Sequence, residues 1–124
     1  MNRIEMYGEF RKEIERFSIP LALSHRDMVV HDIEYEGKIV GIFCVAYGEY
    51  IDCIYIQPEY RRRGLAKDTV LNWAKGNRNI QLNIINTNAP AKAFWNSVFE
   101  LRKVDSGEVD TLYEVVKIKG DEDV

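Results

Sequence analysis

The strongest restriction on the fold comes from the run IVGIFCVAY at residues 39–47, which is almost entirely apolar. A run of this length is typical of a central strand buried on both faces. Gly37-Lys38 and Gly48-Glu49 provide turn signals on either side. The segment before the run, at 29–35, alternates with a period of two, and the segment after it is YIDCIYI at 50–56. Three strands joined by tight turns predict an antiparallel meander.

Apolar residues at helical or alternating spacing, bounded by Pro, Gly or Asn, predict the remaining elements. These are a helix over 3–17, a loop over 18–28, a helix over 65–75, a strand over 80–85, a helix opened by Asn88 and Pro90, and strands near 100–105 and 109–118. Because a helix separates strand 50–56 from strand 80–85, we expect these two strands to be parallel neighbours in a right-handed crossover. The sequence therefore predicts a single α+β domain over residues 1–124, with a mixed central sheet flanked by helices and an acidic tail at 120–124.

Composition excludes several classes of protein. The 124 residues are 46% hydrophobic, which fits one core, and no apolar run reaches 18 residues, so no membrane span is expected. Charged residues interrupt the N-terminus where a signal peptide would be apolar, and Cys44 and Cys53 lie in apolar strands, so we expect a cytoplasmic protein with reduced thiols. His25 and His31 stand alone, so no metal site is expected.

Positive charge is concentrated in PEYRRRGLAK, residues 58–67. Residues 57–78 carry six basic and two acidic side chains, net +4, and the whole chain carries −3, so the remainder carries −7. Nucleic-acid binding needs a broad basic surface, so this pattern favours a small anion. The run precedes a helix N-terminus, whose N–H groups and dipole bind phosphate, and Gly64 allows close approach of the backbone. A solvated basic helix start is the simpler alternative.

Two blocks of the sequence resemble the GNAT superfamily of N-acetyltransferases. Residues 61–66, RRRGLA, fit its (Q/R)-x-x-G-x-(G/A) signature after a strand and a proline, and residues 88–95, NAPAKAFW, are similar to its second block, N-x-x-A followed by an aromatic pair. The resemblance implies a GNAT-like fold and transfer of an acetyl group from acetyl-CoA, without a metal, to a small-molecule or peptide amine. It covers residues 29–118 best.

The resemblance also implies the cofactor site. The loop N–H groups of residues 62–66 would hold the pyrophosphate, a strand edge would pair with the amides of the pantetheine arm, and Asn88 would touch those amides. The implied cofactor-binding residues are Ile54, Tyr55, Ile56, Arg61, Arg62, Arg63, Gly64, Leu65, Ala66 and Asn88.

An ammonium acceptor must lose a proton before attack, and Asp52 is the candidate base because it is expected to share a strand face with Ile54 and Ile56. Glu49, a base acting through water, and a purely structural Asp52 remain alternatives. Trp95 occupies the position of the family's acidic tyrosine, but an indole donates a hydrogen bond without acting as an acid. A non-catalytic acyl-CoA-binding module is therefore the second reading, and a nucleic-acid-binding protein is a third.

Two departures concern the surroundings of this site. Val98-Phe99 lacks the glycine that usually precedes that phenylalanine in the family. A single N-terminal helix is expected where the family has a first strand and a helix pair, so the acceptor site would be small, open or completed by a second subunit in a homodimer. His25, Arg26 and His31 receive no role.

Overall fold

The computed structural model describes residues 1–14 and 26–119, in which three helices pack on the two faces of a six-stranded sheet. The elements are α1 (Arg3–Ile14), β1 (Met28–Tyr35), β2 (Lys38–Ala46), β3 (Tyr50–Ile56), a 3₁₀ turn (Pro58–Tyr60), α2 (Leu65–Ala74), β4 (Gln81–Ile85), α3 (Ala89–Val98), β5 (Phe99–Ser106) and β6 (Asp110–Ile118). The sheet order is β1-β2-β3-β4-β6-β5, and β3–β4 is its one parallel pair within the described residues. The predicted α+β class, element order and mixed sheet are confirmed.

Small differences separate the predicted and observed boundaries. The strand expected over 80–85 begins at Gln81, and the helix expected over 65–75 ends at Ala74. The first helix is present as far as Ile14, whereas residues 15–25, which include most of the predicted loop, lie outside the described residues, as does the acidic tail. The expectation of a single N-terminal helix therefore stays a prediction.

The central strand β2 divides the core into two layers, as its apolar run predicts. Its residues are buried from Val40 to Ala46. Phe43 packs toward α2 and α3, where its ring meets Trp73 edge-on at 5.3 Å, while Cys44 packs toward Met6 of α1. We call these two sides of the sheet the α2–α3 face and the α1 face.

The junction between α3 and β5 contains no loop. Helix α3 ends at Val98 and β5 begins at Phe99, and both side chains are fully buried. The backbone turns from helical to extended at Phe99, with φ −128° and ψ 150°. The position before Phe99 does not need the glycine that the family usually has there, because Val98 belongs to α3 and is not among the residues with positive φ. None of the helices in the described part of the chain is long and apolar enough to cross a membrane.

Candidate active site

The site is a gap in the middle of the sheet. Strands β3 and β4 pair at Tyr50–Gln81 and Ile51–Leu82, and from Asp52 onward β4 no longer pairs with β3. A cavity of about 990 Å³ opens there, lined by residues 49–56 of one strand and 81–85 of the other. A gap between two parallel strands has room for an extended ligand, and the free strand edges supply backbone groups that can form hydrogen bonds with that ligand.

A β-bulge in β3 lies at the point where the strands separate. Cys53 is opposite Cys44 and Ile51 is opposite Val45, which leaves Asp52 as an extra residue on β3. A bulge bends its strand and sharpens the local twist. The bulge in β3 thus contributes to the separation of this strand from β4.

The bulge corrects the expected position of the candidate base. Ile54 and Ile56 pack on the α2–α3 face, whereas the Asp52 carboxylate accepts a hydrogen bond from the Tyr7 hydroxyl of α1 at 2.8 Å. The prediction that Asp52 shares a face with Ile54 and Ile56 is therefore wrong, because the extra residue shifts the alternation. Asp52 nevertheless lines the cavity.

The turn before α2 has the form of an anion cradle. Arg62 (φ 65°) and Gly64 (φ 77°) both adopt left-handed backbone conformations. The first backbone bond into the helix runs from Asp68 N to Gly64 O at 2.9 Å, and no side chain caps the helix. The N–H groups of residues 65–67 therefore precede the intrahelical ladder, at the positive end of the helix dipole.

The three arginines point in different directions. Arg61 donates from Nε to the Ile56 carbonyl at 2.7 Å, which braces the end of β3. Arg62 is exposed and lines the cavity. Arg63 lies outside the cavity wall, with its guanidinium 4.9 Å from the centre of the Tyr35 ring and Nη1 donating to the Tyr35 hydroxyl at 3.1 Å. Of the residues implied for the cofactor, Arg63 alone does not line the cavity.

Trp95 and Asn88 reach the cavity from α3. Trp95 is 7% exposed and its ring is held between Phe99, parallel at 6.0 Å, and Phe94, edge-on at 4.8 Å. Asn88 is the N-cap of α3, where Oδ1 accepts from Ala91 N at 3.1 Å. Both side chains thus have a packing or capping role besides their position at the cavity.

Sequence reasoning missed a polar group that spans the gap. Tyr50 donates its hydroxyl to Asn83 Oδ1 at 3.0 Å, from β3 to β4. Burial raises the pKa of Tyr50 to about 12, and the charges of Asp52 and Asp110 add to this effect. Tyr50 therefore stays a neutral phenol at physiological pH. An alternation of apolar and polar residues gives no signal for such a contact, since it depends on where β4 lies.

Three carboxylates, Glu49, Asp52 and Asp110, line the cavity, while Arg61, Arg62 and Lys67 belong to the part formed by the cradle. No cluster of metal-ligating side chains occurs in residues 1–14 and 26–119.

Comparisons with known proteins agree with this geometry. A family model described as Acetyltransferase (GNAT) family matches residues 3–99. Among solved structures, the PaiA N-acetyltransferase of Thermoplasma acidophilum in complex with coenzyme A aligns at 17% identity and TM-score 0.59, over 72% of this chain and 60% of its own. A Klebsiella pneumoniae protein assigned as an acyl-CoA N-acyltransferase aligns at 15% and 0.70, over 90% and 87%.

A third structure, a Bacillus anthracis protein assigned as a streptothricin acetyltransferase and bound to acetyl coenzyme A, aligns at 20% identity and TM-score 0.59, over 74% of this chain and 64% of its own. The chain thus spans less than two thirds of two of these three neighbours. At such identities the structures show a shared fold. The comparison with curated protein sequences gave no match.

Proposed function

The chain belongs to the GNAT acetyltransferase family, and from this premise we propose that it transfers an acetyl group from acetyl-CoA to a primary amine by direct attack in a ternary complex. The observation that carries the proposal is that one cavity joins the gap between β3 and β4 to the cradle before α2. An extended chain of amides ending in a pyrophosphate matches that combination.

The residues present fit acetyl-CoA as a co-substrate. The N–H groups at the start of α2 and the Arg62 guanidinium would hold the pyrophosphate, since helix N-termini and arginine both bind phosphate oxygens. The edge of β3 at Ile54, Tyr55 and Ile56 would bond the pantetheine amides on the side away from β2. Asn88 and Trp95 would flank the same chain. Bound acetyl-CoA supplies the thioester carbonyl that is attacked and the thiolate that leaves.

The acceptor amine would enter a part of the cavity that carries acidic groups. The carboxylates of Glu49, Asp52 and Asp110 favour an ammonium group over an anion. Asp52 would take one proton from the ammonium, and the freed lone pair would form the new C–N bond. The C–S bond then breaks with its electron pair on sulfur, and the new amide nitrogen releases its remaining excess proton to solvent. The thiolate takes a proton from solvent, because the indole of Trp95 has no acidic proton to give.

The decisive experiment measures binding and turnover separately. Calorimetry with CoA tests the cradle, and mass detection of acetylated product from a panel of alkyl amines and peptides tests the transfer. We expect CoA binding together with amine-dependent product. Binding without product from any acceptor would favour a non-catalytic acyl-CoA-binding module, and absence of binding would reject the proposal.

A further inference from the structure

The contact that extends this proposal joins the first helix to the bulge. The Tyr7 hydroxyl donates to Asp52 Oδ2 at 2.8 Å, and Tyr7 is 5% exposed. We infer that Tyr7 is a positioning residue for acyl transfer: its hydroxyl keeps the Asp52 side chain ionised and fixed at the cavity wall. The inference rests on the proposed function, because it gives Asp52 the task of accepting the proton of the acceptor amine.

Helix α1 is anchored well enough to hold that hydroxyl in place. Arg3 donates two hydrogen bonds to the carboxylate of Asp32 on β1, from Nε to Oδ1 at 2.7 Å and from Nη2 to Oδ2 at 2.9 Å. One turn further, Met6 is fully buried against β2 and β3. The Tyr7 ring lies between these anchors and Phe10, with ring centres 6.0 Å apart. The helix therefore presents the hydroxyl in a defined direction.

The bulge explains why the partner of Tyr7 is a carboxylate at the cavity. As the extra residue of β3, Asp52 leaves the regular alternation and turns toward α1 at the point where β4 diverges. A regular strand would place this side chain in phase with Ile54. The position combines a cavity wall with a buried donor, which is what a fixed proton acceptor requires.

Several titratable groups surround this pair. Around the Tyr7–Asp52 pair, Cys44 comes from β2, and Tyr50 and Cys53 come from β3. Asp110 of β6 lies near Tyr50. Burial, followed by the hydrogen bond to Asp52 and its charge, holds the pKa of Tyr7 well above its ordinary value.

The Tyr7 phenol therefore remains a donor across the usable pH range. A donor to a carboxylate favours the ionised form. Because Asp52 must be ionised to accept a proton, kcat/KM falls as pH drops through its titration, and loss of the donor moves that fall to higher pH.

The test is the pH profile of kcat/KM for Tyr7→Phe, which removes the hydroxyl and keeps the ring. A hydrogen bond to a charged group is strong enough that we expect the acid limb to move up by about one to two pH units, with activity largely recovered above it. Tyr113→Phe is the matched control, because it removes a tyrosine hydroxyl on β6 outside the cavity wall, and its limb should not move. Asp52→Asn should lower kcat/KM by about 100-fold or more.

A second variant and a second readout keep the inference testable if Tyr7→Phe folds poorly. Incorporation of 3-fluorotyrosine at position 7 keeps the hydroxyl and strengthens its donation, so the acid limb should move down. A carbon-13 NMR titration of the Asp52 carboxyl, assigned with Asp52→Asn, should show the same displacements without turnover. If neither the acid limb of kcat/KM nor the carbon-13 titration of Asp52 moves when Tyr7 is changed, the inference is overturned, while the proposal of acyl transfer stands. If the unmodified protein does not bind CoA at all, the proposed function itself is rejected.

Discussion

The cradle can be tested with two glycines that have the same backbone. Gly64 and Gly37 both have φ 77°, and a Cβ added to either would meet no chain atom within 4 Å. Gly64 precedes α2 at the cavity, whereas Gly37 is in the turn between β1 and β2, away from it. Alanine at either position therefore meets the same backbone penalty, and the two variants differ in what that backbone serves.

The magnitude follows from the left-handed conformation, which costs a residue with a Cβ about 1–2 kcal/mol. At Gly37 the hairpin fixes the turn, so Gly37→Ala should lower the free energy of unfolding by that amount and leave CoA binding unchanged. At Gly64, in an exposed loop, we expect the substituted backbone to relax in the free protein, so that CoA binding has to restore the left-handed conformation. Gly64→Ala should thus bind CoA about 5- to 30-fold more weakly, before any contact between the new methyl group and the phosphate.

The assays are urea denaturation of both variants and calorimetric titration with CoA. Because the two substitutions are chemically identical, a general loss of stability cannot explain a difference in affinity between them. Equal and unchanged CoA affinity in Gly64→Ala and Gly37→Ala would refute the cradle. A loss in both would show that the effect is not local to the turn before α2.

Three further outcomes can be measured on single variants. Arg62→Ala should weaken CoA binding and reduce its salt dependence, whereas Arg63→Ala should not, since Arg63 stacks on tyrosine outside the cavity; calorimetry at two salt concentrations would contradict this if both behaved alike. Asn88→Ala should lower the free energy of unfolding by about 1 kcal/mol through loss of the α3 cap. Asn88→Asp, whose carboxylate can accept the same hydrogen bond, should keep most of the stability in urea denaturation, and equal losses in the two variants would contradict the capping role. The hydrogen bond from Arg3 lowers the pKa of Asp32, so this pair stabilises the fold above the unfolded aspartate pKa and is lost as pH falls through the folded value. Below about pH 4, thermal unfolding of Arg3→Ala should therefore depend less steeply on pH than that of the unmodified protein, and equal slopes would contradict the assignment.

The element order was predictable because its signals are local. The apolar run of β2, the period of two in the segment before it and the Asn88–Pro90 start of α3 are all properties of short segments. The bulge at Asp52 is not local. The letters YIDCIYI, read alone, give no sign of an extra residue, and only the pairing with β2 shows that β3 contains one residue more than its partner. The predicted strand face of Asp52 was therefore wrong, although its position at the cavity was expected from the sequence.

Side-chain direction set a second limit on prediction. Three adjacent arginines indicate an anion site, but left-handed backbone at Arg62 sends Arg61 back to the end of β3 and Arg63 to Tyr35. Tyr7 belongs to the apolar spacing of α1, so its hydroxyl carried no functional signal. Its partner is 45 positions away in sequence, and only the packing of α1 on the bulged strand brings the two together.

The two residue pairs that join β3 to β4 are also the narrowest connection in the sheet. On one side lie β1, β2 and β3, and on the other lie β4, β6 and β5, each held by longer antiparallel pairings. Cooperative opening follows such narrow connections, so the two halves should behave as separate units in amide hydrogen exchange. Small hinge motions along this line would widen the gap while the antiparallel pairings of each half stay intact.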